Sequence, residues 1–283
     1  MKSCERYVSP KSDYFVYTPS RTAREMFFYP LQCGRFFYEA GYSLCRESYD
    51  SFLLMYLASD GLTLELDGQV HTVPSGSFVL LNCYKRHAYY AVSACECLWC
   101  HFDGAAAGRW YDQIVSRLGN LFSMQNSRPV LDLLTAVYDV FAGGNPVREP
   151  LLSKYLNDIL TAFLLYGPAE KEFSHHAGSI EKTVTYINEH YAESIPVETL
   201  AVMAGLSQYH FIRIFKKETG FTPHEYLLNT RIGAAKYLLK NTRLPIKEIC
   251  FNTGFSCESV FCTSFKRHQG MTPLQYRTSG SSA

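Results

Sequence analysis

The chain has 283 residues, of which 47% are hydrophobic and 19% charged, and its formal net charge is +1. This composition predicts a globular protein, since a disordered chain would carry fewer apolar residues, and the length is enough for two hydrophobic cores. The longest apolar run, residues 52–58, is far shorter than a membrane span, and residues 1–10 lack the apolar segment of a secretion signal, so we expect neither.

Residues 14–103 alternate short apolar runs with turn signals. The runs at 52–58, 62–66, 69–73 and 77–82 are separated by Asp60-Gly61, Asp67-Gly68 and Ser75-Gly76. Short strands closed by such turns are typical of antiparallel meanders, sandwiches and small barrels. We therefore predict a β domain over residues 1–107.

The apolar spacing becomes helical between residues 108 and 166. Trp110, Ile114, Leu118 and Leu121 recur at threes and fours, and Leu152, Leu156 and Leu160 recur at fours. We predict amphipathic helices that cover the β domain or pair with a second copy of the chain. Residues 167–178, with Pro168 and His175-His176, are interpreted as a linker.

Charge is distributed unevenly along the chain. Residues 179–279 hold 12 Lys and Arg against 8 Glu and no Asp, a net charge of +4, whereas residues 1–178 carry −3. A basic C-terminal domain suits an anionic partner such as a nucleic acid.

An internal repeat occupies this basic region. Pro196, Gly205 and Ser207 recur at an offset of 49 as Pro245, Gly254 and Ser256, and Thr222-Pro223 recurs at an offset of 50 as Thr272-Pro273. In each copy the Pro suits the first turn of a helix, the Gly its left-handed end, and the Ser the N-cap of the next helix. Each copy is therefore predicted to form a helix-turn-helix. Thr222 with Glu225 and Thr272 with Gln275 match capping boxes that start the following helices.

The second helix of each unit has one apolar side and one polar side. Phe211, Ile214 and Phe215 should face inward in the first copy, and Phe261, Ser264 and Phe265 in the second. The outward residues that we predict to read DNA bases in the major groove are Gln208, Tyr209, Ile212, Arg213, Glu258, Ser259, Cys262 and Thr263. The residues predicted to contact phosphates are Ser207, Lys216, Lys217, Lys266 and Arg267.

The two units are predicted to read adjacent major-groove segments of one DNA duplex. A helix over residues 223–240 would be about 27 Å long, which together with the width of the two units could hold two reading helices about 34 Å apart, one turn of DNA. Thr263 stands where the first copy has Arg213, so we expect the first unit to dominate base readout.

Residues 179–279 resemble the DNA-binding domain of the AraC/XylS family of bacterial transcription regulators. The likeness is carried by Arg231-x-x-x-Ala235-x-x-Leu238-Leu239, Gly254-Phe255-Ser256, Phe265-Lys266-Arg267 and Thr272-Pro273, with Gly233 inside the linking helix as a departure. The resemblance implies an all-α domain of seven helices with two helix-turn-helix motifs, in a cytoplasmic, nucleoid-associated transcription factor. It also implies a homodimer that contacts RNA polymerase if it is an activator.

The front domain resembles the cupin-like sensory β barrel of the same family, which makes the whole chain an α+β multidomain protein. The likeness rests on Gly61, Glu65, Asp67-Gly68, Ser75-Gly76 and His101-Phe102-Asp103-Gly104. By motif position, Arg46, Tyr89 and Trp99 match effector contacts of sugar-sensing relatives, and His87 is a nearby candidate. The resemblance thus implies a small-molecule effector, with a carbohydrate as one expectation.

Two alternatives use other residues of the β domain. Cys95, Cys97 and Cys100 could sense thiol oxidants or a metal, although on a strand Cys100 would face away from the other two. The 10 cysteines are otherwise scattered, which favours reduced thiols. A metal-dependent cupin enzyme would need several His and a carboxylate around one ion, and His71, His87 and His101 include no closely spaced pair. We therefore expect no enzyme activity, no cofactor and no metal.

Overall fold

The computed structural model describes residue 2 and residues 5–66, 68–144, 146–167 and 174–279. The chain divides into two compact units, residues 1–170 and residues 171–283. Among the described residues, no helix is long and apolar enough to cross a membrane.

The first unit contains two antiparallel sheets. The strands are β1 (Asp13–Val16), β2 (Phe28–Tyr38), β3 (Ser43–Arg46), β4 (Phe52–Leu57), β5 (Leu62–Leu66), β6 (Gln69–Val73), β7 (Ser77–Asn82), β8 (His87–Ala91), β9 (Cys95–Gly104) and β10 (Leu121–Ser123). The larger sheet has the order β1-β2-β9-β4-β7-β10 and the smaller β3-β8-β5-β6. This arrangement confirms the predicted cupin-like antiparallel β domain.

The residues of β9 show how the sheets divide the interior. Cys95, Cys97 and Trp99 point into a core between the two sheets, together with Tyr89 and Leu64. The intervening side chains of Leu98, Cys100 and Phe102 belong to a second core on the other side of the larger sheet. Because successive side chains of a strand alternate, one strand contributes to both cores.

Helices cover the outer side of the larger sheet. Besides the short α1 (Arg21–Met26), they are α2 (Ala107–Leu118), α3 (Arg128–Ala142) and α4 (Glu149–Tyr166). Leu156, Ile159 and Phe163 of α4 are fully buried against this sheet's core. The helical spacing predicted for residues 108–166 is therefore present.

One part of that helical prediction is wrong. Leu121 was placed on the first amphipathic helix, whereas it begins β10, which pairs with β7 through Leu121 and Val79. Gly119 takes a left-handed φ of 73° and ends α2, so the apolar residues that follow it can join the sheet edge instead.

The described part of the second unit contains seven helices, as predicted. They are α5 (Ser174–His190), α6 (Val197–Met203), α7 (Gln208–Thr219), α8 (Pro223–Asn241), α9 (Ile246–Asn252), α10 (Glu258–Gln269) and α11 (Pro273–Thr278). Residues 168–173 of the predicted linker lie outside the described residues, and residues 174–178 form the start of α5 rather than an irregular segment. The apolar spacing of Ile180 and Ile187, both buried, belongs to one helix that extends back through these positions.

The repeated helix-turn-helix units have separate cores. Leu200, Phe211 and Phe215 are buried in the first, and Ile249, Phe261 and Phe265 in the second. Arg231 of α8 links this helix to the end of α5, because its guanidinium donates hydrogen bonds to the carbonyl oxygens of Tyr191 (2.8 Å) and Glu193 (2.7 Å). Both predicted capping boxes, at Thr222 and Thr272, are formed.

Candidate nucleic-acid interface and effector site

The first candidate reading helix, α7, begins and ends as its residues predict. Gly205 has a φ of 67° and terminates the preceding helix, and the Ser207 side chain then accepts a hydrogen bond from the backbone N–H of His210. Gly220, with a φ of 79°, ends α7. The turn between α6 and α7 therefore needs a residue free to adopt positive φ, followed by a capping hydroxyl.

The second reading helix, α10, begins one residue later than predicted. Its N-cap is Cys257, whose side chain makes no capping hydrogen bond, and Ser256 lies one position before it. The copy contains an inserted residue between Gly254 and α10, which moves the serine out of register. Pro196 and Pro245 likewise occupy N-caps of α6 and α9 rather than the first turn.

Three of the four predicted base-reading residues of α7 are exposed. Tyr209 is 82% exposed, and Gln208 and Arg213 lie beside it on the surface. Ile212 is half-buried and packs against the core of the first helix-turn-helix. This face therefore presents one aromatic, one amide and one guanidinium group.

Neighbouring side chains orient the polar groups of this face. The Gln208 amide donates a 2.9 Å hydrogen bond to the carboxylate of Glu198 on α6, which leaves the amide oxygen and a second N–H for a base edge. The Arg213 guanidinium lies 3.5 Å from Nδ1 of His210, one turn earlier in α7. Both contacts restrict rotamers before any partner binds, which lowers the entropy cost of binding.

The outward side of α10 is chemically different. Glu258, Ser259 and Thr263 are exposed, and Cys262 is half-buried against the second core. Ser264, which was predicted to face inward, is half-exposed, so Phe261 and Phe265 form the buried stripe without it. The sequence reasoning did not include Val260, which is 49% exposed on this helix. This second face has no cation at the position of Arg213.

The residues predicted to contact phosphates are all on the surface. Ser207 stands at the start of α7, Lys216 and Lys217 in its last turns, and Lys266 and Arg267 in the last turns of α10. Each reading helix thus ends in cationic side chains that can reach anionic groups beside it.

The four predicted effector contacts share one interior, the space between the two sheets of the first unit. Arg46 ends β3 and pairs across the strands with His87 of β8. Tyr89 lies two residues further along β8 on the same face, and Trp99 faces them from β9 of the larger sheet. His87, Tyr89 and Trp99 are buried, and Arg46 is half-buried.

Arg46 brings a positive charge into this interior. Its guanidinium lies over the ring of Tyr49, 4.7 Å from the ring centroid, which is a cation–π distance. Among the residues that the structure describes, none supplies a carboxylate within ion-pair distance of Arg46. The Glu5 carboxylate, which reaches the same core, accepts a 2.9 Å hydrogen bond from the hydroxyl of Tyr42.

His101 is a further member of this group, although the sequence pointed to it only as part of the barrel motif and as a possible metal ligand. Its Nδ1 shares a 2.8 Å hydrogen bond with the buried hydroxyl of Ser51, and its ring lies 4.9 Å from that of Tyr49 and 5.6 Å from that of Trp99. Burial, reinforced by the charges of Arg46 and His87, lowers its pKa to about 3. Strand alternation from Trp99 was the signal that could have placed His101 in this interior.

The buried His101 makes the first unit sensitive to acid. The unfolded chain binds a proton on this ring below a pKa of about 6.5, whereas the folded chain resists protonation down to about 3, so stability falls as the pH drops below 6.5. We expect a loss of about 2 kcal/mol between pH 7.5 and 5 from this group. Urea unfolding of the His101→Gln variant should show a shallower pH slope than the wild type; equal slopes would contradict the assignment.

Two buried polar atoms of the interior have no hydrogen-bond partner among the described residues: Nε2 of His87 and Nε1 of Trp99. The indole lies directly over Gly34 of β2, where a Cβ would come within 2.7 Å of the ring. Glycine at that position therefore makes room for the Trp99 ring. Because buried polar groups are costly when unpaired, these two atoms mark candidate ligand contacts.

The cysteines proposed as a thiol or metal sensor do not form one cluster. Cys95 and Cys97 lie between the sheets, and Cys100 faces the helices, as strand alternation predicts. Burial raises the pKa of the Cys95 thiol to about 11 and those of Cys97 and Cys100 well above their ordinary range. Such thiols are poor nucleophiles. Among the described residues, no three His, Cys, Asp or Glu side chains are placed to hold a metal ion.

Both units match known families. A family model described as an AraC-like ligand-binding domain matches residues 29–159, and one described as a helix-turn-helix domain matches residues 200–279. The chain therefore combines a small-molecule-binding domain with a DNA-binding domain, which is the class of ligand-binding transcription regulators. It belongs to the AraC family of DNA-binding transcription regulators.

Relatives differ in how much of the chain they match. The Msm operon regulatory protein of Streptococcus mutans is 26% identical over 84% of this chain and 88% of its own length. The probable transcriptional regulator LumQ of Photobacterium leiognathi is 37% identical, but over only 32% of this chain and 37% of its own. Among solved structures, the DNA-binding domain of AdpA in complex with a target DNA is 31% identical, covering 35% of this chain and 89% of that one, with a TM-score of 0.34.

Proposed function

We propose that this chain is a sequence-specific transcription factor whose DNA binding is controlled by a small molecule held between the sheets of its first unit. The observation that carries the proposal is the duplicated helix-turn-helix, in which α7 exposes Gln208, Tyr209 and Arg213 on one face. Arg213 can bind a guanine edge in bidentate fashion, and the Gln208 amide can pair with adenine.

The two helix-turn-helix motifs are proposed to read adjacent major-groove segments with unequal specificity. The helix α8 between them has 19 residues and is therefore about 28 Å long, close to the spacing that one DNA turn requires. In α10 the residues facing outward are Glu258, Ser259, Cys262 and Thr263, which offer weaker base recognition than α7. Base readout by α10 is therefore minor, and Lys266 and Arg267 supply phosphate contacts.

Regulation is proposed to act through a homodimer in the bacterial cytoplasm. Apolar side chains at the end of α4 are exposed, with Leu165 at 65% and Tyr166 at 68%, which suits a self-complementary contact between two copies. An effector bound at Arg46, His87, Tyr89 and Trp99 would shift the equilibrium between arrangements that fit or do not fit DNA. An activator of this type would also contact RNA polymerase.

Selection from randomised double-stranded oligonucleotides tests the proposal. The full chain should enrich a site covering two consecutive major-groove segments at moderate salt. An enriched pool that remains random in sequence would refute sequence-specific binding.

Replacing Arg213 with alanine should weaken binding to the selected site by about 1–3 kcal/mol, because a bidentate contact to a base is lost. Binding to unrelated DNA should fall less. The matched change Thr263→Ala in α10 should have a much smaller effect, and Lys216→Ala should weaken all sequences alike and reduce the salt slope by about 1. Titrations of both DNAs at several salt concentrations measure this; an equal loss on both DNAs for Arg213→Ala would contradict its role.

A further inference from the structure

We infer that the effector is a small polyhydroxylated carboxylic acid, such as an aldonic or uronic acid, rather than a neutral sugar. This inference rests on the proposed function, because it places the effector between the two sheets. It is carried by three polar groups on the residues that line this interior: the Arg46 guanidinium, Nε2 of His87 and the indole N–H of Trp99.

Arg46 calls for an anion. A guanidinium taken partly out of water is stabilised by a carboxylate, and within the described residues none lies within ion-pair distance of this one. The ring of Tyr49, whose centroid lies 4.7 Å from the guanidinium carbon, provides only a cation–π interaction, which does not neutralise the charge. By contrast, Arg86, on the outer surface of the same unit, contacts both Glu65 (2.8 Å) and Glu47 (3.6 Å). The inward-facing arginine is therefore the one available to a ligand carboxylate.

His87 calls for a hydroxyl donor. Its Nδ1 lies 2.9 Å from the carbonyl oxygen of Lys85, and since a carbonyl only accepts, Nδ1 carries the hydrogen. Burial lowers the pKa of His87 and favours the neutral ring, in which Nε2 is an acceptor. That atom is buried and has no partner within the described part of the chain, and the residue is 2% exposed. A ligand hydroxyl would satisfy it.

The positions of these groups set how far apart the oxygen groups of the ligand must be. Arg46 and His87 are direct partners across β3 and β8, so their Cα atoms lie about 5 Å apart and a carboxylate and a hydroxyl within two carbons of it can reach both. Trp99, whose buried indole N–H has no partner among the described residues, belongs to the opposite sheet, and packed sheets lie about 10 Å apart. A chain or ring of about six carbons bearing several oxygens can span this layer, whereas a two-carbon acid cannot.

A surface cleft lies next to this interior. It has a volume of about 390 Å³, and its polar lining includes Gln32, Ser48, Tyr49 and the acidic Asp50. The Tyr49 hydroxyl accepts a hydrogen bond from the amide of Gln32, and the ring of Tyr49 contacts both Arg46 and His101. Rotation of this one side chain would open the cleft toward Arg46, which gives a polar ligand a path from solvent.

Matched pairs of probes test the inference on the full chain. D-Gluconate and D-galacturonate are compared with D-glucitol and D-galactose, which replace the carboxylate by a neutral alcohol in otherwise similar skeletons. We expect at least one acid to raise the thermal midpoint and to bind by calorimetry about 10- to 100-fold more tightly than its neutral partner, as a charge-assisted contact implies.

Variants identify the group responsible. Arg46→Gln should weaken the acid about 10- to 100-fold and the neutral partner much less, whereas Arg86→Gln should leave both unchanged. Trp99→Phe, which keeps the ring and removes the N–H, should weaken acid and neutral partner alike. A thermal midpoint in the absence of ligand that equals the wild-type value shows that the first unit of each variant is folded.

The outcomes separate the two levels of the hypothesis. A neutral sugar that binds as tightly as its acid would overturn the inference while leaving small-molecule control intact. A panel in which neither acid shifts the midpoint overturns it too. Failure of the oligonucleotide selection, which uses no effector, is the separate result that would refute the proposed function.

Discussion

Replacing Phe261 with alanine should lower the free energy of unfolding of the C-terminal unit by about 3–5 kcal/mol. Phe261 is fully buried in α10, and its ring packs against those of Phe255 (5.1 Å between centroids) and Phe265 (5.7 Å). The second core is small, so the neighbouring rings have few ways to collapse into the space left behind. Urea unfolding of the full chain, followed by helical circular dichroism, measures the loss.

The exposed Phe251 of the same unit provides the matched control. It is 50% exposed on α9, so Phe251→Ala should cost less than about 1 kcal/mol. Because the core of the second helix-turn-helix holds α10 in place, Phe261→Ala should also weaken DNA binding, even though the Phe261 side chain lies away from the reading face. If the two phenylalanine variants were equally stable, the second core would not be the source of the unit's stability.

The strands between residues 52 and 82 could be predicted from sequence because local signals determine them. Phe52–Leu57, Leu62–Leu66, Gln69–Val73 and Ser77–Asn82 match the predicted runs, apart from one residue at the end of the first. Turn residues with special backbone preferences end each run, and the apolar residues between them have no helical spacing. Here local propensity and the packing of the sheets agree.

The errors have two sources, a contact distant in sequence and the register of a turn. Leu121 continues an apolar helical spacing, but Gly119 ends the helix and β7 offers an open sheet edge to which Leu121 pairs. The misplaced N-cap at Ser256 arose from an inserted residue, since repeat alignment identifies equivalent positions and not the exact register of a turn. Neither outcome follows from propensity alone.

The candidate effector site was only partly visible in the sequence. Arg46, His87, Tyr89 and Trp99 do share the interior between the sheets, as their placement on inward positions requires. Whether they bind an effector stays a prediction. Strand alternation from Trp99 indicates that His101 faces this interior, but its hydrogen bond to Ser51, 50 residues away, has no local signal. The tautomer of His87, which sets what a ligand must donate, likewise depends on a backbone carbonyl.

Gly254→Ala should destabilise the second helix-turn-helix by about 3 kcal/mol, since two costs add. Gly254 has a φ of 81°, a conformation that costs an L-residue about 1–2 kcal/mol. In addition, a Cβ there would lie 2.8 Å from the carbonyl oxygens of both Tyr191 and Ala192. Relieving that overlap requires a backbone shift costing about 1–3 kcal/mol. The Tyr191 oxygen has little room to move, because it accepts the hydrogen bond from Arg231.

The repeat supplies the control for this prediction, since Gly205 occupies the equivalent position in the first helix-turn-helix. Its φ is 67°, but a Cβ there would meet nothing within 4 Å, so Gly205→Ala should cost only the conformational term of about 1–2 kcal/mol. Urea unfolding of the two variants separates backbone strain from steric overlap. The double variant Gly254→Ala, Arg231→Ala should show less than the sum of its single losses, because freeing the Tyr191 carbonyl lets it move away from the new methyl group. Equal losses at the two glycines, or strict additivity with Arg231→Ala, would mean that the end of α5 does not constrain the second turn.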